Sequence, residues 1–354
     1  MQVSIIIIGQ GLCGTWLSYY LKQTGISFVV IDKTQSQTAS KIASGIINPV
    51  TGRRLVKTWL IDEVMPFAIN AYQNFKTPQN PSTYQLITNY NVLDFFSAPD
   101  VEIAFNKRLA EDADYLTAVS DTANWRQYFN FDFGAGQIEP CYLVNVNGLL
   151  AVWRKYLGKE NLLIEAPFNK AELIVTDEGI RYQNIEANKI IYCNGITAAQ
   201  SKYFNRLPFA ANKGEALIAE IPDLPATHIF KKGMSLVPWK PGQYWIGSTY
   251  QWKFENELPT AIFREQATAW LESFCKMPFI IVDHLAAVRP ATIERRPFVG
   301  FHPVHNRVGI FNGMGTKGVS LAPYFAHQFA GYLSAQNPLQ ADVDILRFEK
   351  ILSR

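Results

Sequence analysis

The chain opens on the run VSIIII over residues 3 to 8. A β-branched run without alternation is what a strand buried on both faces of a parallel sheet requires. Gly9-Gln10-Gly11-Leu12-Cys13-Gly14 follows, and Trp16, Leu17, Tyr20 and Leu21 then recur at the spacing of an amphipathic helix. A second apolar run, Phe28 to Ile31, ends in Asp32. The pattern is strand, glycine turn, helix, strand, acid.

Further along, the periodicity predicts a helix from about Leu60 to Phe75 and a strand over Lys189 to Cys193 that runs into Asn194-Gly195. Val308 to Phe311 reads as another buried strand. It leads into Asn312-Gly313-Met314-Gly315-Thr316-Lys317-Gly318 and then a helix with apolar positions Val319, Leu321, Ala322, Phe325, Phe329 and Leu333. Pro323 falls near the start of that helix, where proline is tolerated. Residues 84 to 135 and 206 to 285 hold short strand-like runs, such as Ala216 to Ile221 and Tyr244 to Ser248. Within the second of these regions a helix of about Pro259 to Phe274 carries Phe263, Ala267, Trp270, Leu271 and Phe274 on one face. Two glycine-rich loops opening helices, far apart in sequence, imply a cofactor domain closed by its own C-terminal part.

Composition narrows the class. At 354 residues the chain is long enough for about two domains. Charged residues make 18% and the net charge is +3, which excludes a disordered chain and gives nucleic-acid binding little support. Cys13, Cys141, Cys193 and Cys275 form no CxxC pair, so neither a zinc site nor a disulfide framework is expected, and reduced thiols point to the cytoplasm. No run reaches the 18 or so apolar residues of a membrane span. Residues 3 to 8 lack the basic leader and the length of a signal peptide. The five histidines show no metal-ligand spacing, and His284, His302 and His305 are given no role.

The N-terminal loop has the parts of a dinucleotide site. Gly9 permits the tight turn, Gly11 lets backbone approach a pyrophosphate, and Gly14 allows close helix–strand packing. The helix start at Leu12 offers unpaired N–H groups to phosphate. Asp32 lies 18 residues beyond Gly14, near the spacing of about 20 at which an acid meets the ribose hydroxyls, and Lys33 adjoins it. This motif leaves NAD and FAD equally open. Cys13, in the same loop, is read as a small filler rather than a reactive thiol. In the segment Ala43 to Pro49, Ser44, Gly45 and Asn48 could lie against a flat ligand, as could Asn194 and Gly195.

Taken in order, GQGLCG, Asp32, ASGIINP, NGLLAVWRKYL at 147 to 157, IIYCNG at 190 to 195, NKGEALIAE at 212 to 220, YWIGST at 244 to 249, VRPATIERRPFVG at 288 to 300 and GMGTKGVSLAP at 313 to 323 make the chain resemble the D-amino-acid oxidase type of FAD-dependent oxidoreductase. That family includes glycine oxidase, sarcosine oxidase and the FAD domain of a tRNA wobble-uridine modification enzyme. The resemblance implies a mixed α/β fold with a Rossmann-like FAD domain from residues 1–80, 140–205 and 286–354. A mostly antiparallel substrate domain would be inserted as 81–139 and 206–285. It further implies oxidation of the C–N bond of a small amine or amino acid by hydride transfer to flavin N5, with an electron acceptor that the sequence leaves open.

Arg289, which the resemblance supplies, and Lys317, from its setting between glycines at a helix start, are the catalytic candidates, a solvated loop lysine being the alternative for Lys317. Arg289 would face a substrate carboxylate, a structural arginine bonding backbone carbonyls being the alternative. The loop of Gly313, Gly315, Thr316, Lys317 and Gly318 would present N–H groups and positive potential to the flavin. No cysteine falls in the VRP or GMGTKG segments, so FAD is expected to be noncovalent. The chain departs from the family pattern where GMG replaces GHG, where Ile293-Glu294-Arg295-Arg296 follows the RPxT element, and where Lys317 stands near the place of a second arginine. Arg53 and Arg54 could lie near a flavin edge or form a solvated loop. Trp239, Tyr244, Tyr250 and Trp252 could wall a cavity or be plain core. An RNA-modifying enzyme and an FAD-binding protein without turnover are the alternatives.

Overall fold

The computed structural model describes residues 1–52, 54–77, 82–111 and 114–354. At its centre lies the strand Gln2–Ile8, flanked in parallel by Phe28–Ile31 on one side and Ile185–Tyr192 on the other. Leu163–Ile164 extends the sheet beyond Phe28–Ile31, and Val308–Asn312 pairs in parallel with Ile185–Tyr192. Antiparallel strands Ile180–Tyr182, Leu173–Val175 and Phe298–Phe301 complete eight.

The first run lacks alternation because both its faces are covered. Ile5 and Ile7 pack with the helices Leu12–Thr24 and Gly318–Ala335, while Ile6 and Ile8 pack with Ile190, Phe204 and Phe348 on the opposite side. Pro323 sits in the second turn of Gly318–Ala335 and cannot donate to the carbonyl of Val319. The buried Tyr72 hydroxyl donates to that oxygen instead, at 2.8 Å. Tyr72 comes from the helix Ile61–Gln73, close to the bounds that periodicity predicts.

A second eight-stranded sheet runs, in spatial order, Ile280–Thr292, Phe209–Glu220, Gln243–Gly247, Met234–Lys240, Ile229–Lys232, Val92–Phe95, Ala135–Ile138 and Leu116–Ala118. Its pairs are antiparallel except Ile229–Lys232 with Val92–Phe95. The helix Ala261–Phe274 buries Phe263, Ala267, Leu271 and Phe274 against Leu217, Ala219 and Ile221. Trp270, expected on that face, is half-buried and donates its indole N–H to the Lys232 carbonyl. Ala216 and Ile218, alternating with these, turn to the other face beside Trp245 and Val50. That alternation decides which residues of Phe209–Glu220 can meet a ligand.

Candidate functional site

A cavity of about 1070 Å³ runs along the glycine turn, across the C-terminal ends of the parallel strands and up to the second sheet. This is where ligands of open α/β sheets bind. Its wall includes Gly9, Gly11, Leu12, Asp32 and Lys33 from the first strand–helix–strand unit, Ser44 and Gly45, Asn194 and Gly195, Arg289, and Gly315, Thr316 and Gly318.

The glycines are demanded by space. Gly9 has φ +96°, and a Cβ there would stand 2.9 Å from the Asn194 Cα and the Cys193 carbonyl oxygen. At Gly14 a Cβ would lie 1.8 Å from the Gly9 carbonyl oxygen. Gly11 caps the helix Leu12–Thr24 without a side-chain acceptor, so the positive end of the helix faces the cavity. The Asn194 Oδ1, on the same wall, is buried with no hydrogen-bond partner. A tight backbone cradle, a helix N-terminus whose Leu12 N–H meets the Ser40 hydroxyl at 3.1 Å at the cavity wall, and an orphaned acceptor fit a dinucleotide. Burial pushes the Cys13 thiol up to about 12, in keeping with a filler.

Asp32 is not a free carboxylate. Its Oδ1 accepts from the Gln10 backbone N–H at 2.9 Å and its Oδ2 from the Arg154 guanidinium at 2.7 Å. Arg154 belongs to the helix Val146–Lys159 and lines the cavity. Sequence reading quoted the stretch NGLLAVWRKYL without singling out its arginine. The one available signal was a cation directly after the buried face of Leu149, Leu150 and Trp153.

At the other end of the cavity Arg289 is half-buried on Ile280–Thr292. Its Nη1 donates to the Asn212 Oδ1 at 2.7 Å and the Thr249 carbonyl at 3.0 Å, and its Nη2 to the Ser248 Oγ at 2.8 Å. The Tyr250 ring centroid lies 4.9 Å from the guanidinium. Gly214 makes room beneath, since a Cβ there would meet the Nη2 at 2.0 Å. Among the described residues no carboxylate pairs with Arg289, and burial holds its pKa below the usual arginine range. The arginine thus bonds a backbone carbonyl and also borders the cavity.

Other candidates lie elsewhere. Lys317 stands one layer behind the wall, its ammonium donating to the Asn48 carbonyl at 3.3 Å, and burial brings its pKa down to about 8. Asn48 and Gly313 are likewise outside the cavity lining. On the cavity side this loop presents Gly315, Thr316 and Gly318 rather than the lysine head. Arg54 is exposed and away from the cavity, a solvated position, while Arg53 lies outside the described residues. Of the aromatic candidates Tyr244 is core, its hydroxyl on the Leu224 carbonyl. Trp239 is half-buried, Tyr250 lines the cavity and Trp252 is exposed outside it. Residues Ile293 to Arg296 form a turn in which Glu294 pairs with Arg347 and Arg296 stacks on Trp59, away from the cavity.

Sequence reading also missed a buried cluster behind Arg289. Lys213 and Glu215 are 1% and 0% exposed, with Nζ to Oε1 at 3.4 Å. Glu215 accepts from the Thr260 N–H and hydroxyl and lies 3.0 Å from the His284 Nε2, while Lys213 donates to the Leu258 carbonyl. Among the described residues no group of His, Cys, Asp or Glu is placed to hold a metal ion, and no helix is long and apolar enough to cross a membrane.

Residues 156–331 match the family described as DAO, FAD dependent oxidoreductase. The chain is 24% identical over 348 residues to a glycine oxidase of Bacillus subtilis (strain 168), covering 90% of this chain and 89% of the relative. Among solved structures it is similar to glycine oxidase from Geobacillus kaustophilus, with a TM-score of 0.78 and 14% identity over 96% of each chain. It is also similar to iminodiacetate oxidase from Chelativorans sp. BNC1, with a TM-score of 0.76 and 17% identity over 96% of this chain and 98% of that one. At such identities the structural likenesses establish the fold.

Proposed function

The chain belongs to the DAO family of FAD-dependent oxidoreductases, and from that premise we propose that it oxidises the C–N bond of a small amino acid, with Arg289 as the receptor for the substrate carboxylate. One observation carries the substrate reading: a half-buried guanidinium faces the cavity with only neutral acceptors around it. A withdrawn cation of this kind is stabilised by an anionic ligand, and its fork matches a carboxylate.

FAD, once bound, supplies the hydride acceptor that the oxidation requires. Gly9, Gly11, Leu12 and Gly14 with the helix start hold its pyrophosphate. Asp32, with Lys33 beside it, holds the adenosine ribose. Ser44, Gly45, Asn194, Gly195, Gly315, Thr316 and Gly318 hold the remainder, with Gly313, Lys317 and Asn48 bracing the 313–318 loop from behind. The FAD is noncovalent in this reading. Arg289 orients the amino acid through its carboxylate, Asn212 and Ser248 fix the plane of the guanidinium, and Tyr250 restricts the entrance. The backbone amides at the start of Gly318–Ala335 aim positive potential into the cavity. Residues 1–80, 140–205 and 286–354 act as the FAD domain, with 81–139 and 206–285 as the substrate domain. The free state of all four cysteines supports a cytoplasmic setting. The matched relatives are named for oxidising glycine and iminodiacetate, which favours this reading over RNA modification.

Anaerobic titration of the FAD-loaded protein with glycine, sarcosine, proline and D-amino acids tests the proposal. Bleaching of the flavin absorbance by at least one of them is expected. If none bleaches it while photoreduction proceeds normally, the protein binds FAD without turning over amino acids.

A further inference from the structure

We infer that Arg154 is the positioning residue for the adenosine-ribose end of the FAD site: its ion pair aims the Asp32 carboxylate and thereby sets the preference for the dinucleotide over the mononucleotide. The inference rests on the proposed placement of Asp32 against the ribose.

Arg154 is held by its own helix. Its neighbour Trp153 is 1% exposed and donates its indole N–H to the Ser18 Oγ at 2.8 Å, which pins Val146–Lys159 to the phosphate-loop helix Leu12–Thr24. From that anchor the guanidinium reaches across to the end of Phe28–Ile31. Its Nη1 meets the Asp32 Oδ2 at 2.7 Å and the Gln10 Oε1 at 3.2 Å, its Nη2 the Thr34 hydroxyl at 3.1 Å, and its Nε the Glu165 Oε1 at 2.8 Å. The Nη2 also lies 2.7 Å from the same Glu165 oxygen. All five N–H groups are directed at protein acceptors. Arg154 therefore has no donor left for a ligand and acts through Asp32.

The charges around it point the same way. One guanidinium is shared by two carboxylates, Asp32 and Glu165, so Arg154 does not fully neutralise Asp32, which stays an ionised acceptor at the cavity wall. Such an acceptor suits the hydroxyl donors of a ribose. With one lone pair of each Asp32 oxygen engaged, by the Gln10 N–H and by Arg154, one lone pair on each remains for two neighbouring hydroxyls. Gln10, the middle residue of the first Gly-x-Gly, completes the frame: its Nε2 donates to the Thr15 hydroxyl at 2.9 Å and the Leu150 carbonyl at 3.1 Å.

The experiment titrates the full-length apo chain with FAD, FMN and ADP, following flavin fluorescence and displacement by ADP. In Arg154→Met the affinity for FAD and ADP should fall about 10- to 100-fold, the size expected for loss of a charge-assisted bond. The affinity for FMN, which lacks the adenosine, should stay within about twofold of the parent. Arg154→Lys, with an unchanged melting temperature as the check on folding, should recover part of the FAD affinity. Asp32→Asn should weaken FAD and ADP to a similar degree, and combining it with Arg154→Met should add little. FAD binding by Arg154→Met as tight as the parent's overturns the inference, as does an equal loss for FAD and FMN. An Asp32→Asn variant with parental affinity overturns the ribose placement itself, and the role of Arg154 with it.

Discussion

Three neutral acceptors fix the plane of the Arg289 guanidinium but leave its charge unmatched. A cation in that state discriminates strongly between substrates with and without a carboxylate, because only the former replace the water it has lost. Arg289→Met should lower kcat/KM for the best amino acid by about 100- to 1000-fold and change it far less for the matching amine without the carboxylate. Arg289→Lys should fail to restore it, since an ammonium cannot reproduce the fork. Steady-state kinetics on that substrate pair decide the matter. Arg289 was legible in the sequence because it stands in VRPAT, within a recognisable order of motifs. Arg154 was not, since its function depends on which strand end a helix lies across. Lys317 was legible as a loop residue, yet its side-chain direction was not, and that direction places it behind the wall.

One strand organises the substrate end of the cavity. Along Phe209–Glu220, Gly214, Glu215 and Ala216 border the cavity, while the Lys213 and Glu215 side chains bond Leu258 and Thr260 at the start of Ala261–Phe274. Glu215 takes two hydrogen bonds from Thr260, the cap residue of that helix, where negative charge is favoured. Lys213 pairs through its backbone with Gln251 and through its ammonium with Leu258. The segment that carries Tyr250 over Arg289 is thus tied down on both sides of its loop. Glu215→Gln leaves a buried lysine without its counter-charge and should destabilise the fold by about 3–5 kcal/mol. The double change Lys213→Met with Glu215→Met should cost less than either single methionine, as measured by urea denaturation. Alternation shows why sequence reading began this strand only at Ala216. A run of Asn-Lys-Gly-Glu looks like a polar turn, and only tertiary structure reveals that its two charges neutralise each other indoors. The helix that follows was legible, because a 3.6-residue apolar period needs no partner to be seen.

For the molecule as a whole, acid is the revealing stress. Burial lowers the pKa of His228, His284, His302 and His327 below the ordinary histidine value, Glu215 opposing the shift at His284. His302 falls furthest, to about 4, through burial and the neighbouring His305. Its Nδ1 accepts from the Val304 and His305 backbone N–H groups, a geometry only the neutral ring can keep. A depressed histidine resists a proton that the unfolded chain accepts at about pH 6.5. Its contribution is therefore intact above that value and drains away as the pH falls toward 4. Asp94 works in the opposite direction, burial raising its pKa despite Lys231, so protonation is easier in the folded state. The histidines are the more numerous, and the melting temperature should drop steadily between pH 6.5 and 4. His302→Asn, whose side-chain oxygen can still accept the two amides, should flatten that slope. None of this was visible beforehand, since burial of a histidine is a property of the assembled fold.

The first sheet has the spatial order Leu163–Ile164, Phe28–Ile31, Gln2–Ile8, Ile185–Tyr192, Val308–Asn312, so its neighbours in space are remote in synthesis. The Asn312 amide donates to the Gly195 carbonyl and the Gly315 N–H to Pro290, closing the cavity with segments made nearly three hundred residues after the glycine turn. A nascent chain that has emerged only to Gly195 owns the phosphate cradle but no far wall. It must wait, holding an apolar strand edge uncovered, until translation delivers the rest. A ligand that filled this cavity would meet early, middle and late segments at once, and would tie the finished fold together by binding only the completed state.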